Sequence, residues 1–344
     1  MSDTLEIYGY TFPDLVWDIM SYYSDMSIKS KFVRKEYGVN PDIGCKVPLD
    51  FCEFSRNKYT NLEHNNIIIQ PNLISKISNI LWENGLLRKI RIAINDFDGE
   101  MGEAFFRPNP LDIENKKYIS SHLNNIVYGF KYIFNTNKNN VLPVIVEKNG
   151  DSMVGTCFLS IFGIVTAKHC LKVDKVQIGK GSTLIPPEML QHTQIYALEN
   201  YDIAVIPIEQ KVIEKNIPFT FGEPEVLDEI ITMGYPKHGG FDNFITTTVG
   251  SIAAIENSYI YKHDLMLLSS RIRGGNSGGP VVNRKGQVVG IITDFPCSEE
   301  SEPKNGLSEY DKFGYGLALP FKYIVETYDS KTPFVNHIQF VDDL

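Results

Sequence analysis

From about residue 140 onward, the sequence is a succession of short apolar runs separated by turn residues, and no other feature restricts the fold as strongly. The runs include VLPVIV, CFLSIFGIVTA, DIAVIPI, TTVGSIAAI and QVVGIIT. Many short apolar segments with turn residues between them are typical of strands rather than helices. The pattern therefore predicts an all-β barrel or sandwich region.

The first 140 residues follow a different pattern. Apolar residues recur at helical spacing near 15–23, 74–81 and 117–135, and the segment RKIRIAIN alternates as a strand does. We therefore predict three parts: an α+β accessory domain over 1–138, a β-rich domain over 141–329 and a C-terminal tail over 330–344 without a clear pattern. The polar segment NTNKNN, residues 135–140, is interpreted as a linker.

Charge and composition restrict the classes of function. The formal net charge is −9, and this argues against a general nucleic-acid-binding protein, which usually carries a basic surface. No stretch approaches the roughly 18 apolar residues of a membrane span, and the N-terminus lacks the features of a secretory signal. We therefore expect a cytoplasmic protein that does not bind membranes, with free thiols on its five cysteines.

Neither a metal nor another cofactor is predicted. The five cysteines include no C-x-x-C pair, which argues against structural zinc. The acidic cluster in NDFDGE resembles part of a calcium loop, but Met101 stands where that loop needs glycine and Arg107 where it needs glutamate. A solvated turn is the better interpretation.

Three segments of the β-rich part fit nucleophilic acyl transfer. His169 follows an apolar run in GIVTAKHC, Asp202 opens one in NYDIAVIPI, and Ser277 lies in the glycine-rich segment RGGNSGGPVV. A serine hydroxyl needs a base within hydrogen-bond reach, and the base needs an acid that fixes its tautomer. Glycines allow backbone N–H groups to converge on a developing oxyanion without a Cβ clash.

Each segment alone has a plainer interpretation: a structural histidine, a turn aspartate, a hairpin turn. A phosphate-binding loop is a further alternative for the glycine cluster, but such a loop ends in G-K-[ST] and leads into a helix, whereas this one leads into PVV and a strand. The order His, Asp, Ser is one of the known orders of a catalytic triad. All three together, in a β-rich context, favour the catalytic interpretation.

On these residues the segment from about 142 to 328 resembles a trypsin-like (chymotrypsin-fold) serine protease, closest to the compact HtrA-like and viral branch. The matching pieces are G-T-C-F-L, T-A-K-H-C, Y-D-I-A-V, I-T-M-G-Y-P, G-N-S-G-G-P, V-V-G-I-I-T and G-Y-G-L-A-L-P. The resemblance implies an all-β double β-barrel protease domain, here preceded by an N-terminal α+β domain. His169 and Asp202 would lie in the first barrel and Ser277 in the second, with the N–H groups of Gly275 and Ser277 as the oxyanion hole.

The resemblance also assigns supporting residues. Thr166 and Thr293 fall where relatives place hydroxyls that support the aspartate. Asn276 stands where zymogen-type enzymes carry the aspartate that pairs with a new N-terminus, so we expect no activation by N-terminal cleavage. Cys157 and Cys170 lie near the positions of a disulfide common in secreted relatives; a bridge is geometrically open, but two buried thiols are favoured.

The resemblance places the substrate-binding pocket beside the serine segment, and the residues expected to line it are Arg271, Ile272, Thr293, Phe295 and Gly316. An inward-facing Arg271 would favour an acidic or polar P1 side chain, whereas a solvent-facing one would not. The Glu-rich loop 295–313 would instead attract basic residues. The P1 preference stays open.

The sequence thus predicts a serine endopeptidase that acts on a protein or peptide substrate through an acyl-enzyme. The N-terminal domain would regulate this enzyme or recruit its targets. One form of this hypothesis is that a regulatory protein partner binds to the N-terminal domain. The alternative from another class is a catalytically silent pseudoprotease that serves as a peptide-binding module. A nucleic-acid-sensing role for the N-terminal domain is disfavoured by the acidic net charge.

Overall fold

The computed structural model describes most of the chain, and it divides the chain into two compact units, Met1–Tyr132 and Ile133–Leu344. The described residues are 14–31, 44–60, 69–93, 101–179, 190, 194–209, 212–213, 216–236, 244–259, 261–293, 315–334 and 339–341. The acidic cluster in NDFDGE and the pocket residue Phe295 lie outside these ranges. Within them, no helix combines the length and apolarity needed to cross a membrane.

In its described residues the N-terminal unit combines helices with a β-hairpin, which confirms the α+β prediction. Its elements are α1 (Leu15–Ser24), α2 (Pro48–Thr60), α3 (Pro71–Glu83), β1 (Arg88–Ala93), β2 (Met101–Phe106) and α4 (Lys116–Asn137). The two strands pair antiparallel, from Arg88 opposite Phe106 to Ala93 opposite Met101. The core forms where the apolar faces of α1 and α3 are buried, as at Leu15, Ile19, Ile74, Ile77 and Leu81.

Helix α2 is the element of this unit that the sequence did not predict. Its buried positions include Asp50, Phe51 and Ser55, so its inner face carries little apolar periodicity. The Asp50 carboxylate accepts a hydrogen bond from the backbone N–H of Val47 at 2.9 Å, which caps the first turn. The helix is thus held by a polar contact that a search for apolar periodicity does not detect.

The expected linker at 135–140 is helical instead. Its residues form the end of α4 and a 3-10 turn, Lys138–Asn140. Their amides are buried and bonded: Asn137 Nδ2 donates to Ile133 O at 3.0 Å, and Asn140 Nδ2 donates to Ile217 O at 2.7 Å. Polar composition here reflects internal hydrogen bonding rather than a solvated connection. The domain boundaries proposed from the sequence stay predictions.

The C-terminal unit begins with a seven-stranded sheet in the order β15-β6-β3-β4-β5-β8-β7. Its strands are β3 (Val141–Lys148), β4 (Asp151–Ser160), β5 (Gly163–Thr166), β6 (Lys175–Ile178), β7 (Tyr196–Ala197), β8 (Ala204–Ile206) and β15 (Gln339–Phe340). Within the described ranges this sheet is not closed. Strand β15, from the tail that showed no pattern, adds in parallel to β6.

Six further antiparallel strands form a closed barrel in the order β10-β11-β14-β13-β12-β9. They are β9 (Glu229–Gly234), β10 (Thr246–Asn257), β11 (Asp264–Leu268), β12 (Pro280–Asn283), β13 (Val288–Ile292) and β14 (Gly316–Pro320), followed by helix α5 (Lys322–Ser330). Fully buried side chains such as Ile230, Met266 and Val281 fill the interior. Two successive β-sheet bodies confirm the predicted chymotrypsin-like architecture.

The hairpin that joins β4 to β5 provides a test of this packing. Gly163 has φ +118°, and a Cβ there would lie 2.4 Å from the carbonyl oxygen of Ile206 on β8. Gly150 also has positive φ, +83°, but its Cβ would meet no described atom within 4 Å. Because left-handed strain costs about 1–2 kcal/mol and overpacking about 1–3 kcal/mol more, Gly163→Ala combines two penalties and Gly150→Ala has one.

We expect Gly163→Ala to lower the free energy of unfolding by about 2–5 kcal/mol and Gly150→Ala by about 1–2 kcal/mol. Urea unfolding of both variants against the parent chain measures the difference. Equal losses in the two variants would contradict the close approach of β8 to this hairpin.

Candidate active site

The serine segment is a tight loop between β11 and β12. Gly275 and Gly278 have φ of +97° and +86°, the region that favours glycine. A Cβ on Gly278 would lie 2.1 Å from the carbonyl oxygen of Thr156, so no other residue fits. The Gly278 N–H donates to Ile292 O at 2.8 Å, and Ser277 is buried to 3% exposure. The glycines thus fold the loop against β4 and β13.

Two backbone N–H groups of this loop are available to a ligand. The neighbouring N–H groups of Asn276 and Gly279 are used inside the loop, donating to Arg273 O at 3.0 Å and to Asn276 O at 2.9 Å. Over the described ranges, the N–H groups of Gly275 and Ser277 donate to no protein acceptor. These are the two donors expected to form the oxyanion hole, and an anionic oxygen is the partner they suit.

Thr156 on β4 holds the serine loop from outside. Its hydroxyl donates to Gly275 O at 2.7 Å and accepts from the N–H of Tyr235 at 2.9 Å. Its own N–H donates to Ser277 O at 2.9 Å. One residue of the first sheet therefore fixes two carbonyls of a loop that belongs to the second barrel. The motif G-T-C-F-L predicts no role for Thr156 by itself, and the hydroxyl beside Gly155 is the only signal of it in that motif.

His169 lies in the 3-10 helix Lys168–Leu171, directly after β5. Its backbone N–H donates to Oδ1 of Asp202 at 2.9 Å, and its ring Nδ1 lies 2.7 Å from Oδ2. A carboxylate accepts only, so Nδ1 carries the proton and Nε2 is the nitrogen left to act as a base. The two contacts fix the position of the carboxylate and the tautomer of the ring together.

Asp202 is held by a third hydrogen bond, from Thr293 Oγ1 to Oδ2 at 2.8 Å. The side chain of Asp202 is 10% exposed while that of His169 is 42% exposed, so the acid is covered and the base remains accessible. Thr166, the second threonine expected to support the aspartate, has a different hydrogen-bond partner. Thr166 Oγ1 donates to Thr156 O at 2.8 Å, so it braces β4 behind the serine loop instead.

The pKa of His169 is raised above the usual imidazole value. Burial acts most strongly and lowers it, but the hydrogen bonds with Asp202 and Cys170 and the negative charge of Asp202 together outweigh burial. The protonated ring is therefore stabilised where it stands, as an imidazolium formed during a reaction would be. Over the described ranges, Ser277 Oγ and His169 Nε2 form no hydrogen bond; in catalytic sites without substrate this contact is often long.

The histidine turn and the serine loop meet at Cys170. Its Sγ lies 3.9 Å from Ser277 O. A Cβ built on Gly155 would lie 2.6 Å from the same sulfur, so the close approach of Cys170 to β4 requires glycine at this position. Cys157 and Cys170 are both free and buried, as the favoured interpretation had it. Burial raises the pKa of Cys157, as expected of a thiol that is inert.

The residues expected to line the substrate pocket are only partly brought together. Gly316 abuts Ile272, because a Cβ at 316 would lie 2.2 Å from Cγ1 of that side chain. Arg271 is exposed, which fits the solvent-facing alternative, and the hydroxyl of Thr293 is directed to Asp202. The P1 preference stays a matter of prediction.

Comparison with known proteins agrees with this geometry. Residues 155–291 match the model of the trypsin-like peptidase domain. A probable periplasmic serine endoprotease DegP-like of Chlamydia muridarum is 32% identical over 179 residues, covering 49% of this chain and 32% of that protein. A serine protease DegP homolog of Plasmodium falciparum is 33% identical over 121 residues, covering 33% of this chain and 13% of that protein. The chain thus spans a third or less of these relatives' length.

Solved structures with a similar fold include the active form of the Rv3671c protease from M. tuberculosis, with 17% identity, a TM-score of 0.44 and coverage of 59% of this chain and 85% of that one. The HtrA-type protease AlgW with decapeptide has 21% identity, a TM-score of 0.42 and coverage of 58% and 66%. At such scores the fold assignment rests on the strand order of this chain itself. Together with the matched residues 155–291, that order identifies a trypsin-like peptidase domain in this chain.

Proposed function

We propose that this chain is a serine endopeptidase, with Ser277 as nucleophile, His169 as general base and then acid, and Asp202 as the group that orients the histidine. The observation that carries the proposal is the two-point contact between His169 and Asp202, at 2.9 and 2.7 Å, beside a serine loop with two open N–H donors. The relatives named as serine proteases support the reaction class. The substrate would be a protein or peptide.

The reaction follows from the positions of protons and donors. His169 Nε2 accepts the hydroxyl proton of Ser277, whose Oγ attacks the scissile carbonyl carbon. The carbonyl oxygen becomes an oxyanion, which the N–H groups of Gly275 and Ser277 stabilise. The imidazolium, favoured by Asp202, then protonates the leaving amine, and an acyl-enzyme remains on Ser277. Water activated by His169 hydrolyses that ester.

The regulation of the enzyme is part of the same proposal. Asn276 is buried and carries no charge, so a new N-terminus has no carboxylate to pair with in this position. Activity would therefore be set without N-terminal cleavage, and the N-terminal unit, which has its own core, would regulate the enzyme or recruit its targets. The pseudoprotease alternative is favoured by one observation, the missing hydrogen bond between Ser277 and His169 within the described ranges.

A fluorophosphonate probe separates these alternatives, because it reacts only with an activated serine. We expect the parent chain to be labelled and Ser277→Ala not to be, while the control Ser251→Ala, which removes a half-buried serine on β10, labels normally. Asp202→Asn is expected to slow labelling by up to about 10⁴-fold through loss of the correct tautomer. Labelling that persists in Ser277→Ala, or a parent chain that stays unlabelled between pH 6 and 10 with and without peptide substrates, would favour the pseudoprotease.

The raised pKa of His169 predicts the pH dependence of labelling. Only the neutral imidazole accepts a proton, so the rate should rise with pH and reach half its maximum above 6.5, the ordinary pKa of histidine. Asp202→Asn removes the stabilising charge and should move this midpoint to lower pH while lowering the plateau. Labelling rates from pH 5 to 10 compare the two chains, and a parent rate that still rises at pH 10 agrees with a His169 pKa raised to about 11. A parent midpoint at or below 6.5 would contradict the account of the His169–Asp202 pair.

Thr156 provides a test of the oxyanion hole that leaves all three triad residues intact. Thr156→Val keeps the shape but removes the hydroxyl between Gly275 O and Tyr235 N. We expect the free energy of unfolding to fall by about 1–3 kcal/mol, the cost of unsatisfied buried groups, and labelling to slow about tenfold or more as the loop loosens. Thr156→Ser, which restores the hydroxyl, should recover both. Unchanged labelling in Thr156→Val would show that the loop holds its shape without this contact.

A further inference from the structure

A half-buried ammonium lies next to the histidine in sequence and holds the segment that leads to the aspartate. Lys168 Nζ donates to Leu198 O at 2.6 Å and to Glu199 O at 2.9 Å. Both acceptors are backbone carbonyls, so the contact fixes the path of the chain rather than the conformation of a side chain. Asp202 follows three residues after Glu199.

Two successive residues, Lys168 and His169, thus bind the same segment of the chain. Lys168 binds the approach to Asp202 through its side chain, while the N–H of His169 binds Oδ1 of Asp202 at 2.9 Å. Burial lowers the pKa of the Lys168 ammonium, so it is desolvated at some cost for two neutral acceptors. The two hydrogen bonds to carbonyls offset this desolvation cost, so the ammonium stabilises the local backbone in a way that a solvent-facing lysine does not.

The same segment is also held through Tyr201, the residue before Asp202. Its ring centroid lies 4.2 Å from that of Tyr323 on α5, and its hydroxyl donates to Glu326 Oε2 at 2.9 Å on the same helix. The His263 ring contacts it edge-on at 5.4 Å. The aspartate segment is therefore bonded to the histidine turn at one end and to α5 and the second barrel at the other.

We propose that Lys168 and Tyr201 are positioning residues that hold the segment 198–202, so that the carboxylate of Asp202 stays in two-point contact with His169. The proposal rests on the proposed function only for its catalytic consequence; the geometry it describes is independent of turnover. Neither residue touches the reacting atoms. Their loss would let Asp202 retreat from the ring of His169.

If Lys168 acted only through its charge, its removal would change the pKa of His169 in the opposite direction. The charged groups around its ammonium are Asp202, Lys172 and Glu199, and the groups that face His169 are Asp202 and Cys170. If Lys168 were only a nearby cation, its removal would favour the imidazolium and raise the pKa of His169. If it positions Asp202, its removal weakens the pair, and the pKa of His169 falls.

The experiment is a pH titration of the His169 imidazole by nitrogen-15 NMR in the full chain, with the resonance assigned by its loss in His169→Gln. In Lys168→Met we expect the His169 pKa to fall by about one unit and the downfield Nδ1 proton to broaden or disappear. Lys168→Arg, which can reach the same carbonyls, should restore both. Lys172→Met, which removes an exposed lysine of the same turn, should leave the proton in place.

Tyr201 supplies the second variant. Tyr201→Phe, which loses only the bond to Glu326, should shift the His169 pKa less than Tyr201→Leu, which also loses the ring contact. In the fluorophosphonate assay, Lys168→Met and Tyr201→Leu should be slowed about 10- to 100-fold, as expected for a displacement of an ångström or less.

The outcomes are decisive in each direction. An unchanged or raised His169 pKa in Lys168→Met would overturn the positioning role, and so would an equal effect of Lys172→Met. Should Lys168→Met fail to fold, Lys168→Arg and the Tyr201 pair carry the same test: a His169 pKa that is unchanged in Tyr201→Leu overturns the proposal. A parent chain without labelling but with the expected NMR shifts would refute the proposed function and leave this inference standing.

Discussion

The junction between β4 and the serine loop is the contact on which the rest of the site depends. Thr156 contributes its N–H and its hydroxyl to two carbonyls of the loop, Ser277 O and Gly275 O. Gly278 presses so closely on the same residue that a methyl group does not fit. Because the carbonyls of Gly275 and Ser277 are fixed, the remaining N–H groups of the loop have defined directions. The N–H groups of Gly275 and Ser277, the proposed oxyanion donors, are thus oriented by a strand of the other sheet.

This dependence explains why the sequence indicated the candidate catalytic residues but not the residues that hold them in place. His169, Asp202 and Ser277 stand in motifs whose residue types are dictated by the reaction, and their order alone favoured a triad. Thr156 and Thr166 carry hydroxyls that suit many roles. The register of β4 against β5, with Cys157 opposite Thr166, directs Thr166 to β4, whereas Thr156 reaches Gly275 O only because the serine loop packs against β4. Thr166 accordingly serves Thr156 O and not the aspartate.

The fold was predictable for a related reason, and its exceptions have physical causes. Strands with buried apolar faces produce a periodic signal, and this signal marked the β-rich part and the main helices of the N-terminal unit. Elements held by polar contacts do not produce it. Helix α2 depends on the buried Asp50, and the chain at 135–140 on the amides of Asn137 and Asn140, so both were missed or taken for a linker.

Lys168 is another residue whose contacts the sequence pattern does not indicate. A lysine before the histidine suggests nothing by itself, since lysine side chains are usually solvated. Folded, it bonds two carbonyls of the segment before Asp202, while Tyr201 ties that segment to α5. Asp202, the proposed acid, is therefore flanked by backbone and aromatic contacts that lie outside the Y-D-I-A-V motif. Under the proposed function, a chain could retain His169, Asp202 and Ser277 and still lose the two-point contact if these supports were removed, so the three residues alone do not ensure the geometry of the site.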